Sequence, residues 1–184
     1  MIIDEHKTIF IHIPKNAGTS IEEYFGNESF RIQPSKHADI HEIKTKFKNS
    51  YNNYRKFTII RNPYDKMVSW YFYLKRNLGE NYNTVEFNEW VEDPIKFWHA
   101  DDPISFLKPQ HAWVDETVKI IKYENLNEEL NEFFKEDIKL PITNKSNHDH
   151  YSTYYSRKSL DIIYDRYKKD FEKYNYKLNT IIKG

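Results

Sequence analysis

No cysteine occurs among the 184 residues, so neither a disulfide framework nor thiolate chemistry is open to this chain, and a reducing compartment suits it. Net charge is lacking too. The 28 Lys and Arg balance 28 Asp and Glu, which argues against a broad nucleic-acid-coating surface while leaving room for a local basic cleft. No apolar run approaches the ~18–20 residues needed to span a bilayer. The opening M-I-I-D-E-H-K is polar and runs straight into a strand, so no signal peptide is expected and a cytoplasmic location is. Internal repeats, low-complexity segments and Gly/Ser linkers are also missing. Length and this evenness predict one domain over residues 1–184, large enough to bury a proper core.

What the chain does have is a chemically dense stretch from Thr8 to Tyr24. Ile9, Phe10, Ile11 and Ile13 form a β-branched and aromatic run that reads as a buried strand. Pro14 ends it, having no N–H for a sheet ladder. Gly18 is expected to permit a tight turn and a close ligand approach. Thr19 and Ser20 suit a helix start, and Ile21, Tyr24 and Phe25 supply an apolar helix face. A strand, a tight loop and a helix in this order aim backbone N–H groups and a helix N-terminus at one spot, which attracts a phosphate. Lys15 adds a full positive charge there. The nucleoside triphosphatase loop G-x-x-x-x-G-K-[ST] is excluded, because Lys15 precedes the glycine instead of following it.

Further along, Ala38, Ile40, Ile43 and Phe47 are spaced for a short amphipathic helix, with His37 at or just before its start and His41 four residues on. Residues 29–34 read as a possible short strand. Phe57–Ile60 reads as a second buried strand with Arg61 at its carboxyl end; Asn62 is a plausible N-cap and Pro63 suits the first helical position. In α/β folds ligands bind beyond the carboxyl ends of strands, so Lys15 and Arg61 are expected to face one crevice. Val85–Val91 reads as a helix, and the Pro94 and Pro103 neighbourhoods as loops. P-Q-H-A-W-V at 109–114 is compact and mixed. Thr117–Tyr123 reads as a third strand, residues 124–135 as a helix, and residues 159–173 as a last helix. Strands alternating with helices predict an α/β fold with a mostly parallel sheet. The 15 Tyr suggest a core edged with phenols and a groove for a polar ligand.

Four of these stretches resemble one family. H-I-P-K-N-A-G-T-S is similar to the 5′-phosphosulfate loop of sulfotransferases that use 3′-phosphoadenosine 5′-phosphosulfate (PAPS). R-N-P-Y-D-K-M-V-S-W-Y resembles their 3′-phosphate segment, in which the Arg and the Ser eight residues later serve; here these are Arg61 and Ser69. V-K-I-I-K-Y-E-N-L looks like the third core unit, and the Tyr-rich tail is similar to the closing segment of small bacterial members related to carbohydrate 2-O-sulfotransferases. The resemblance implies the P-loop-kinase-like sulfotransferase fold, PAPS as sulfuryl donor, no required metal, and a hydroxyl acceptor on a saccharide. It implies that Lys15 steadies the leaving phosphate, that Asn16, Ala17, Gly18, Thr19 and Ser20 hold the 5′-phosphate, and that Arg61 and Ser69 hold the 3′-phosphate. Lys145 and Arg157 are the nearest cations for a closing loop over the nucleotide.

The resemblance also points to His37 as the base that takes the acceptor's proton, since an imidazole with its ordinary pKa of ~6.5 is competent at neutral pH. His41 and the carboxylates of Glu22 and Asp39 are the alternatives. H-x-x-x-H at 37 and 41 lacks the Glu of a metalloprotease helix, and His148 and His150 form only a loose pair, so no metal is expected. The Tyr151–Tyr155 cluster either stacks on a ligand or edges the core. A kinase-like phosphotransferase and a non-catalytic nucleotide-binding module on the same fold are the competing readings. The first predicts a Walker-type loop, which is absent; the second predicts loss of Lys15 or of a nearby base, and both are present.

Overall fold

In the computed structural model, residues 1–26, 37–78, 82, 84–97, 106–141 and 148–177 are described. The fold is α/β, as expected, with a mostly parallel four-stranded sheet flanked by helices. The chain forms two compact units, residues 1–61 with 110–145 and residues 62–109 with 146–184. Each is taken by itself.

The first unit carries the sheet, in the order β1 (Ile2–Ile3), β2 (Thr8–Ile11), β3 (Arg55–Ile60), β4 (Lys119–Lys122). β1 runs antiparallel to β2, while β2, β3 and β4 are parallel, with Phe10 opposite Phe57 and Ile59 opposite Ile121. Those four side chains share one face because side chains alternate along a strand. Helix α1 (Gly18–Phe25) brings Ile21 to the same cluster. β2 is buried along its whole length, as the strands of parallel sheets are when both faces are covered. Helices α2 (Ile40–Lys46) and α3 (Lys48–Asn53) fill the crossover from β2 to β3. α2 starts on a capping box: the Asp39 carboxylate accepts from the N–H groups of His41 and Glu42, and Glu42 accepts from the Asp39 N–H.

The second unit is helical. α4 (Pro63–Leu78) begins where Asn62 and Pro63 predicted it, and the Asn62 side-chain oxygen accepts from the Tyr64 N–H at 3.0 Å. α5 (Phe87–Glu92) follows. In the first unit, α6 (Leu126–Phe134) succeeds β4 and adds Leu130 and Phe134 to the sheet's core. The last helix, α7 (Arg157–Tyr174), is capped by Ser156, kinks at Tyr167, and packs with α4 and α5 around Val68, Tyr71, Trp90, Ile163 and Phe171.

The β2 strand is shorter than the run Ile9–Ile13 suggested, and β1 was not foreseen at all. The possible strand at 29–34 and Pro103 lie outside the described residues.

One charge in this helical unit has a measurable consequence. Lys66 on α4 is 1 % exposed, and its ammonium meets no hydrogen-bond partner among the described residues. Burial pulls its pKa from 10.5 down to about 8, against a smaller opposing pull from Asp170 on α7. Between those two values the unfolded chain binds the proton that the folded chain has lost, so stability rises with pH. Tyr64, Tyr167 and Tyr174 are shifted up from 10.0 by burial, so above pH 10 the unfolded chain sheds protons that the folded chain keeps, and stability falls. We expect equilibrium unfolding followed from pH 8 to 11 to show a maximum between pH 9 and 10, with a gain of about 1 kcal/mol from pH 8. Lys66→Met should remove most of the rise above pH 8 and leave the falling limb. A wild-type profile that matches that of Lys66→Met over pH 8–9.5 would contradict the assignment.

Candidate active site

The parallel strands β2, β3 and β4 all end at the same edge of the sheet, and the residues just past their ends meet there. Lys15 follows β2, Arg61 follows β3 and Tyr123 follows β4. The Arg61 guanidinium donates from Nη1 to the Lys15 carbonyl at 3.1 Å and lies 4.2 Å over the centre of the Tyr123 ring. Arg61 and the backbone of Lys15 therefore meet within the first unit. The cation–π contact with Tyr123 steadies a guanidinium that is otherwise rich in rotamers.

The loop itself is shaped differently from what its glycine suggested. Lys15 (φ 69°) and Ala17 (φ 59°) adopt left-handed conformations, with Asn16 between them outside that region. Alternation of left-handed and other residues is the backbone pattern by which successive N–H groups turn toward one concavity. A left-handed residue with a Cβ costs about 1–2 kcal/mol, so two of them here mark a loop held in shape by its surroundings. Gly18 has an ordinary helical φ. It is needed because a Cβ at this position would fall inside the imidazole ring of His12. Thr19 is exposed and Ser20 is buried; neither side chain caps α1.

His12 is the residue that the sequence reading passed over. Its ring is 4 % exposed, and its Nδ1 pairs with Glu22 Oε1 at 2.8 Å, so strand end and helix are tied beneath the loop. Its ring lies edge-on to His37, with centroids 4.4 Å apart. Its carbonyl lies 3.1 Å from His37 Nδ1. A carbonyl oxygen only accepts, so His37 Nδ1 carries the proton, and a neutral His37 keeps its lone pair on Nε2. Of the other candidates for a base, two carboxylates have hydrogen-bond partners and one imidazole faces solvent. Glu22 is paired with His12, Asp39 caps α2, and His41 stands exposed on α2.

A second residue that was missed is Gln110, wholly buried at the start of the 3-10 turn Gln110–Trp113. Its side chain reaches both Asn16 and Arg61. No local pattern announces such a contact, since Arg61 is 49 residues away and Asn16 is 94. Asn16 points inward: Nδ2 donates to the Ile59 carbonyl at 2.7 Å and to Gln110 at 2.7 Å.

Ser69 lies on α4 in the second unit, 5 % exposed. Lys145 lies outside the described residues. In the Tyr-rich tail, the Tyr155 hydroxyl donates to the Tyr64 carbonyl at 2.8 Å, and Asn62 donates to the Tyr151 hydroxyl at 3.3 Å, so these two phenols edge the core of the second unit. Among the described residues no group of three or more His, Asp or Glu is gathered as a metal would require, and no helix is long and apolar enough to cross a membrane.

The left-handed loop, the start of α1 and Arg61 gather at the carboxyl edge of a parallel sheet, the edge at which α/β folds bind their ligands. Residues 1–113 match the model of the Sulfotransferase family, more than half of the chain, and the chain belongs to that family. The match covers the Lys15 loop, His37, Arg61, Ser69 and Gln110 and supports sulfuryl transfer as the general activity. No curated protein and no solved structure matches the chain.

Proposed function

We propose that the protein moves the sulfuryl group of PAPS to an acceptor hydroxyl on a carbohydrate, with residues 1–184 acting as one sulfotransferase domain in the cytoplasm. The observation that carries this reading is the left-handed Lys15–Ala17 loop with the Arg61 guanidinium seated on the Lys15 carbonyl, in a chain of this family. A nest of N–H groups from Asn16 to Ser20 suits a 5′-phosphate, and a fork of donors at Arg61 suits a 3′-phosphate. The motif resemblance adds Ser69 to the 3′-phosphate and Lys145 to the nucleotide.

The chemistry asks for alignment and charge stabilisation. The acceptor oxygen attacks sulfur, the bond from sulfur to the 5′-phosphate oxygen breaks, and 3′-phosphoadenosine 5′-phosphate (PAP) leaves with the electron pair. The acceptor's proton goes to His37 Nε2. Lys15 offsets the charge that grows on the leaving phosphate, so no metal is required. The carbohydrate assignment follows the resemblance of the His37 segment to carbohydrate 2-O-sulfotransferases.

Thermal shift tests the donor. PAP at a hundredfold excess over its Kd should raise stability by about 2.7 kcal/mol, or about 5–10 °C for a chain of this size. ATP, lacking a 3′-phosphate, should do much less, with or without magnesium. Equal shifts with PAP and ATP would overturn the donor assignment, and a shift that depends on magnesium would favour a kinase-like phosphotransferase.

A further inference from the structure

We propose that Gln110 is the positioning residue that locks the Lys15 loop to Arg61, and that donor affinity depends on it although its own side chain is spent on the protein. The inference rests on the reading that the Lys15 loop and Arg61 hold the donor.

β3 makes its last ladder pair at Ile60, opposite Lys122. Arg61 is the next residue, and Gln110 gives its main chain the two-point pairing that a neighbouring strand would give. Gln110 Oε1 accepts from the Arg61 N–H at 2.9 Å, and Gln110 Nε2 donates to the Arg61 carbonyl at 2.8 Å. Only this way round do both bonds form, because an N–H must donate and a carbonyl must accept. The same Oε1 accepts a proton from Asn16 Nδ2 at 2.7 Å.

The second Asn16 proton goes to the Ile59 carbonyl, and Asn16 Oδ1 meets no partner among the described residues, so Nδ2 supplies all the restraint on this side chain. Asn16 stands between the two left-handed residues of the loop. The Lys15 carbonyl is in turn held by the Arg61 guanidinium. A closed ring results, from Gln110 to Asn16, along the chain to Lys15, across to the Arg61 side chain, and through the Arg61 main chain back to Gln110. Cutting it at Gln110 releases the loop and the base of the arginine together.

Gln110→Glu is the test, because it keeps the shape and the accepting oxygen and exchanges one donor for a titratable group. Ionised, the new carboxylate repels the Arg61 carbonyl; protonated, its hydroxyl donates there as Nε2 does. PAP affinity should be weakened at least about tenfold at pH 8. The ratio of mutant to wild-type Kd should shrink toward one as the pH is lowered to 5.5, with circular dichroism reporting the folded state at each pH. In turnover assays the loss should appear in the KM for PAPS more than in kcat, which a loss of stability alone does not produce.

If the variant does not fold at pH 8, the measurement is made on Gln110→Met, which has similar length and no charge and should bind PAP at least about tenfold more weakly than wild type. Wild-type affinity in a folded variant at pH 8 overturns the proposal. Wild-type protein that does not bind PAP overturns the donor assignment, and the proposal with it.

Discussion

His37→Ala should turn over at least about a hundredfold more slowly than wild type while binding PAP unchanged. A base that removes a proton from the attacking group contributes about 10²–10⁴-fold in rate. On the proposed reading, the His12 carbonyl holds the Nδ1 proton of His37 and so puts the basic lone pair on Nε2. The wild-type rate should fall on the acid side as the ring is protonated, and the mutant should lack that limb. His41→Ala is the control: an exposed ring on α2 should matter little. The alternatives predict other rankings. A critical His41 with a dispensable His37 moves the base one turn along α2, and full activity in both variants returns it to a carboxylate. Glu22 and Asp39 are poor candidates, one engaged by His12 and the other by two backbone N–H groups.

Lys15→Ala should lose about 10²–10³-fold in turnover at saturating PAPS, the usual cost of removing one donor from a site of developing charge. PAP binding should weaken far less, because the lysine's work grows as the leaving phosphate gains charge in the transition state. Its backbone conformation sharpens the test. Lys15 is left-handed, so substitution by another residue with a Cβ keeps the backbone strain about constant, and the loss can be credited to the ammonium. Lys15→Arg restores the charge but not the point geometry, and partial recovery is expected. Affinity lost with turnover intact would make Lys15 a binding residue only.

The three parallel strands and the helices α4 and α7 were legible because their apolar residues recur at the right period and their boundaries carry local chemistry, such as Asn62 before Pro63. β1 was not legible. Two isoleucines at the head of a polar segment have no period to read, and only pairing with Thr8 and Ile9 makes them a strand. The site divided in the same way. Lys15 and Arg61 stand at strand ends, which the chain order reveals. Gln110, Tyr123 and His12 act through contacts that link distant segments or face inward under the loop. Gly18 was expected to permit a tight turn and a close ligand approach; its φ is not left-handed, and a side chain there would meet the His12 ring, which no local pattern announces.

That crowding at Gly18 sets rules for anyone redesigning the donor loop. Relief by swinging the imidazole away would break its bond to Glu22 and disturb the strand end whose carbonyl orients His37. A library that varies position 18 would therefore sample damaged acceptor chemistry as often as altered donor preference, and the two would be hard to separate in a screen. Position 19 is exposed and position 17 is already left-handed, so Thr19 tolerates diversity and Ala17 accepts glycine. Diversity in the loop belongs at those neighbours, with 12, 18 and 22 kept as one inherited block.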